Sequence, residues 1–184
     1  MRAEKRLFSS TRLLLIMGVP GSGKSSLAKD IVEMYQVLYL DNNFFADAFS
    51  RESRTSAEYI AIRPAIYEAV YRVCSENLLV GNSVLLDIPH VTQSRDPAWR
   101  DRISQMAIDS NSVLKIVRCF CSEATLLARI RSRGEPRDNW KLQHWAQFLS
   151  EEPIRFFVPF QHLDVNTDDP HSTNISRVLE YITS

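Results

Sequence analysis

Residues 12–25 read RLLLIMGVPGSGKS, an apolar run that breaks into glycines and ends on a lysine and a serine. From Gly18 to Ser25 this is glycine, four residues, glycine, lysine, serine, the spacing of a phosphate-binding loop. Glycines let the chain fold back and aim successive N–H groups at an anion, where side chains would obstruct it. The helix that KSSLAKDIVEMY predicts from Lys24 adds the positive end of its dipole. Lys24 is placed to bridge β- and γ-phosphates, and the Ser25 hydroxyl to ligate Mg²⁺. The nucleotide-binding set is Gly18, Val19, Pro20, Gly21, Ser22, Gly23, Lys24, Ser25 and Ser26.

A strand before the loop and a helix after it set the pattern for the rest. Apolar runs recur at 37–40, 84–86, 113–120 and, weakly, 163–165. Helical spacing or caps fall at 24–35, 64–79, 97–109, 123–131, 139–149 and 173–181. Ile62, Ile66, Ala69, Val70 and Val73 form one stripe, and Pro64 suits a first helical turn, with a break at Arg63. Asp96 and Ser122 are expected N-caps. Strands that do not alternate with polar residues, separated by helices, predict an α/β doubly wound domain with both sheet faces covered. At 184 residues and 45% hydrophobic content, one domain over 1–184 is expected. RTSAEYIAIRP and RGEPRDNW read as excursions over the active face.

Composition narrows partners. The 22 basic residues balance 22 acidic ones, which argues against strong binding to nucleic acid or to an anionic membrane. Cys74, Cys119 and Cys121 match neither a disulfide framework nor a zinc spacing and read as reduced, buried thiols of a cytoplasmic protein. The LLLIM run is too short for a secretory signal and leads into the glycine loop rather than a cleavage site. No stretch is long enough to span a bilayer.

Two aspartates end apolar runs. Asp87 closes SVLLD at the carboxyl edge of a parallel sheet, where such folds bind ligands, and is the expected second Mg²⁺ contact. Asp41 closes QVLYLD in the same way and is a candidate proton acceptor, or else an N-cap for NNFFADAF. Arg129, Arg131, Arg133 and Arg137 crowd into RIRSRGEPRD, with Gly134 and Pro136 forming a hinge. A lid over about 129–140 carrying Arg133 and Arg137 would bring charge onto a transferred phosphoryl group; a solvated basic face accounts for the same residues without function.

Taken together, GVPGSGKSSLA, Asp41, VLLDIPH, LLARIRSRGEPRD and LDVNTDDP resemble the small P-loop kinase superfamily. The likeness is to the group holding zeta-toxin-like kinases, chloramphenicol phosphotransferase, gluconate kinase and polynucleotide 5′-kinase. That resemblance implies a three-layer α/β/α sandwich on a five-stranded parallel sheet of order 2-3-1-4-5, with ATP, Mg²⁺ and a helical lid. It implies a phosphotransferase acting on a hydroxyl of a small-molecule acceptor, with Lys24, Asp41, Arg133 and Arg137 in catalysis and Ser25 and Asp87 on the metal. It also places Thr167 and Asp168 near the adenine. NNFFADAF lacks the second acidic residue that many relatives carry there. Arg63, His90 and Arg95 are candidate contacts to an anionic or polyhydroxy acceptor, or else ordinary surface or capping residues. Two other readings remain open on the residues alone. NWKLQHW and its arginines suit a kinase of nucleic-acid ends, and the apolar IRFFVPF suits a nucleotide-gated regulatory module.

Overall fold

The computed structural model describes residues 4–49 and 56–184. Its strands are β1 (Arg12–Met17), β2 (Leu38–Asp41), β3 (Val84–Asp87), β4 (Val113–Phe120) and β5 (Leu163–Asn166). All pair in parallel, in the order β2-β3-β1-β4-β5. The helices are α1 (Lys24–Met34), α2 (Asn42–Phe49), α3 (Ala57–Leu79), α4 (Pro97–Asp109), α5 (Glu123–Arg133), α6 (Asn139–Gln143), α7 (Trp145–Glu151) and α8 (His171–Thr183).

The apolar run of β1 fills both faces of the sheet. Leu13, Leu15 and Met17 join a core with Val70, Cys74 and Leu78 of α3, Ile103 of α4 and Leu126 and Ile130 of α5. Leu14 and Ile16, pointing the other way, meet Leu27 and Ile31 of α1 and Val178 and Ile182 of α8. Successive strand side chains alternate faces, so a strand covered on both sides must be apolar throughout. The three-layer α/β/α sandwich follows from that pattern. The register sets Asp41 opposite Asp87 and Asp87 opposite Ile16, so both aspartates reach the edge where the chain leaves β1.

Several caps form as expected. Asp96 accepts from the Ala98 N–H at 2.9 Å, and Ser122 accepts from Thr125 at 3.3 Å. All three cysteines are free and buried. No described helix is long and apolar enough to cross a membrane.

Two helix boundaries differ from expectation. α3 does not start at Pro64: it starts at Ala57, capped by Ser56, whose hydroxyl accepts from the Tyr59 N–H at 3.2 Å. Pro64 sits inside, on the exposed side, at the cost of one main-chain hydrogen bond that the cap and the long buried stripe outweigh. That stripe runs through Tyr59, Ile66, Val70, Cys74 and Leu78, while Ala69 and Val73 of the expected one are exposed. Most of RTSAEYIAIRP is therefore helix; its first residues, with the rest of 50–55, lie outside the described residues. The second difference is 139–149, which splits at His144 into α6 and α7.

His90, just beyond β3, is fully buried in the left-handed region, with φ 53°. Trp99 Nε1 donates to the Tyr71 hydroxyl at 3.0 Å, and that hydroxyl shares a 2.8 Å hydrogen bond with His90 Nε2. Burial, assisted by the Lys24 charge, pushes the imidazole down to about 3. The folded protein thus keeps His90 neutral while the unfolded chain protonates it, and stability is lost as pH falls from about 6.5 towards 3, by up to roughly 1.4 kcal/mol per unit. Asp41 and Glu152, raised by burial, oppose this by taking up protons in the fold. His90→Asn, which tolerates the positive φ, removes only the imidazole contribution. Its melting temperature should lie below that of the parent protein near pH 7, and the gap should close by about pH 4. Parallel melting curves across that range would contradict a buried neutral imidazole.

Candidate active site

The loop leaves β1 at Gly18, whose N–H donates to the Pro89 carbonyl at 3.2 Å. Ser22 N–H closes the turn onto Val19 O at 3.1 Å. Gly23 then takes φ 90° and serves as N-cap of α1 without any side-chain cap, which leaves first-turn N–H groups for an anion. A side chain at Gly23 would strike Thr167, 3.0 Å from the place of its β-carbon. The loop is therefore packed directly against the segment after β5.

Lys24 is 7% exposed, and its Nζ donates to Val19 O at 3.1 Å. Burial lowers its pKa, against the pull of Asp87. Asp87, also buried, receives the Tyr39 hydroxyl on Oδ2 at 2.9 Å. Tyr39 also interacts with the Ser25 side chain. Its phenol is raised first by burial and then by the two aspartates, so it stays a donor. Sequence reading missed Tyr39; its signal was the register of LYLD, which puts it two residues before Asp41 on the same face.

Among the described residues no cluster of three His, Cys, Asp or Glu side chains could cage a metal. One hydroxyl and one carboxylate beside a phosphate cradle is the donor set that suits Mg²⁺, which keeps its waters and shares phosphate oxygens. Ser25 and Asp87 both face the same large cleft, of about 740 Å³. They fit the ion.

Asp41 ends β2, and its Oδ1 accepts from the Asn43 N–H at 2.8 Å and from Asn43 Nδ2 at 2.9 Å. It thereby caps α2. The cleft wall there is formed by Asn42 and Asn43 rather than by Asp41, whose carboxyl is raised by burial and by Asp87.

The arginine-rich segment is held by specific partners. α5 stops at Gly134, in the left-handed conformation, and a short 3-10 turn covers Pro136–Asp138. Arg133 bonds to the buried carboxylate of Asp138, which Lys141 shares at 2.9 Å. Arg137 reaches across to Asp47 at 3.0 Å and to Asn43 at 3.2 Å, joining this segment to α2. Arg129 donates to Thr167 Oγ1 at 2.8 Å and to its carbonyl at 2.9 Å, while that hydroxyl donates to Ser22 O at 3.0 Å. Thr167 thus belongs to the scaffold of the loop. Asp168 accepts from the Ser122 N–H at 2.7 Å, which braces the start of α5.

Pro20, Gly21, Gly23, Lys24, Ser25, Ser26, Asp87, Arg133 and Arg137 all line the one cleft, and so does Arg63. Gly18, Val19 and Ser22 lie within the loop; Thr167 and Asp168 stand behind it. His90 and Arg95 do not line the cleft. Arg129 lines it too, and the sequence showed it only as one arginine among several.

Known structures share this frame. A sugar kinase from Janibacter sp. HTCC2649 superposes with a TM-score of 0.65 at 17% identity, covering 93% of this chain and 94% of that one. An APS kinase from Mycobacterium tuberculosis, solved with AMPPNP and APS, gives 0.63 at 17% identity, over 95% and 99%. A gluconokinase from Sinorhizobium meliloti gives 0.56 at 18% identity, over 96% and 93%. No curated protein sequence matches the chain. The family model of the AAA domain matches residues 13–152, from β1 through the segment after α7. The chain therefore belongs to the AAA domain family, on the fold of the small P-loop kinases.

Proposed function

We propose that this protein is an ATP- and Mg²⁺-dependent phosphotransferase that passes the γ-phosphate to a hydroxyl of a small molecule. The observation that carries this reading is a single cleft containing the loop lysine, a strand-end carboxylate beside Ser25 and two arginines of the 129–140 segment. Arginines on a hinged segment serve hydrolysis and transfer alike; what suits transfer to an acceptor is the room the cleft keeps beyond the phosphate loop, between α3 and the end of α7. Structural likeness to a sugar kinase and a gluconokinase supports an acceptor of that size.

In this reading the loop amides and Lys24 bind the phosphates. Ser25 and Asp87, the latter oriented by Tyr39, hold Mg²⁺, which neutralises phosphate charge. Arg133 turns from Asp138 towards the transferred group, and Asp138 keeps a cation because Lys141 remains on its other oxygen. Arg137, clasped to Asp47, fixes the segment against α2. Asp41, which Asn42 and Asn43 screen from the cleft, takes the acceptor proton on Oδ2 once those side chains part, since Oδ1 is held by Asn43.

Asp41→Asn separates the two roles of this residue, because asparagine caps a helix as well as aspartate does. Its melting temperature should stay near that of the parent protein while turnover drops about 100-fold. Acceptor-dependent ADP release, measured over small hydroxyl compounds, nucleosides and 5′-hydroxyl oligonucleotides, provides the assay. Undiminished turnover would move the base to another carboxylate. ADP release independent of every acceptor would replace the transferase with an ATPase.

A further inference from the structure

Beyond the phosphate-binding end, the cleft is closed by α3 and by the end of α7. Glu152 follows α7, fixed by its N–H on Phe148 O at 2.8 Å. It lines the cleft, yet its Oε2 is fully enclosed and has no hydrogen-bond partner among the described residues. Arg63 of α3 faces the same space, with its guanidinium 5.5 Å over the Tyr67 ring. Tyr67, Trp140 and Phe148 supply aromatic surface to this wall, and Gln93 interacts with the Tyr67 hydroxyl.

We propose that Glu152, Arg63 and Tyr67 form the acceptor subsite and that it takes a neutral polyhydroxyl compound, a sugar or polyol. This rests on the phosphotransferase reading and names its substrate class. A buried carboxylate oxygen with no partner is costly to leave unsatisfied, and a small rotation of the Glu152 carboxylate into the cleft lets a hydroxyl of the ligand satisfy it. The charge of that ligand follows from what surrounds Glu152. Lys141, Arg63 and Lys24 all act on it, so an ammonium acceptor would meet three cations. An anionic acceptor would set a second negative charge against the enclosed carboxylate, which already draws on Lys141, Arg63 and Lys24. A neutral ligand avoids both repulsions, and its C–H faces pack on Tyr67 and Trp140. Glu152 is raised by burial, in keeping with a carboxylate that gains from an added donor.

The test is saturation-transfer NMR on the full chain with ADP and Mg²⁺. The panel comprises hexitols, neutral aldohexoses and inositol, set against gluconate, a hexose phosphate, choline and glucosamine. A neutral polyhydroxyl compound should bind, and Glu152→Gln should weaken it about tenfold with ADP affinity and melting temperature unchanged. In acceptor-dependent turnover the same variant should raise KM and leave kcat within about threefold, which separates holding the acceptor from taking its proton. Binding confined to the sugar acid, the phosphate or the amines, binding indifferent to Glu152→Gln, or no binding by any neutral compound overturns the proposal. Phosphorylation of the gluconate or the hexose phosphate alone would overturn it while leaving the phosphotransferase reading intact. Binding of a neutral compound that is never phosphorylated would do the reverse.

Discussion

Gly18→Ala should lower stability by at least about 3 kcal/mol, whereas Gly134→Ala, at another positive-φ glycine, should cost only about 1 to 2 kcal/mol. Both sites disfavour a side chain, with φ 146° and 63°. The difference is in the surroundings. A β-carbon on Gly18 would lie 2.4 Å from the Cys119 carbonyl oxygen and 2.5 Å from Ser22 Oγ, whereas one on Gly134 meets nothing within 4 Å. The Ser22 hydroxyl can turn away. The Cys119 carbonyl belongs to β4, which runs between β1 and β5, and cannot move without disturbing the β4–β5 ladder, in which Cys119 pairs with Val165. For a chain of 184 residues, 1 kcal/mol is worth roughly 2 to 4 °C, so the expected drops are near 10 °C and 4 °C. Thermal melts of the two variants decide it. Equal losses would mean that backbone conformation alone, and not the close approach to β4, requires glycine at position 18.

The same contrast between local and distant causes explains what the sequence could disclose. The phosphate loop, the strand before it and the caps at Asp96 and Ser122 are written in neighbouring residues, and each forms as read. α3 begins earlier than expected because Pro64 is locally a first-turn signal, while the burial of Tyr59 and Ile66, which extends the helix ahead of it, depends on contacts with α2. Tyr39 and Arg129 were hidden for a similar reason. Tyr39 meets Asp87 across 48 positions of sequence, and Arg129 meets Thr167 across 38. The register of LYLD puts Tyr39 on the face of Asp41, but neither that register nor a run of arginines says which distant side chain will be the partner. The Asp41 ambiguity was genuine: a carboxylate at a strand end that is also a helix start is both a cap and a candidate base, and the fold gives its two oxygens different surroundings.

Lys24→Met should reduce phosphoryl transfer by at least about 100-fold without lowering the melting temperature. The two halves have separate origins. In transfer, charge spreads over the phosphoryl oxygens, and a buried ammonium at the loop is worth most where water is excluded. For stability, burial of this ammonium outweighs the attraction of Asp87 and Glu152, so its charged form is less favourable in the fold than in water. Methionine keeps the unbranched stem in its buried slot and removes that cost. Among the described residues, the hydrogen bond it loses is the 3.1 Å bond to Val19 O, next to Gly18. Asp87, deprived of a nearby cation, retains the Tyr39 hydroxyl at 2.9 Å. The expected signature is thus an inactive protein that melts at or slightly above the parent temperature, the inverse of Gly18→Ala, in which the fold itself is damaged. A melting temperature depressed as far as in Gly18→Ala would mean that Lys24 braces the loop structurally. Retained turnover would remove it from the chemistry altogether.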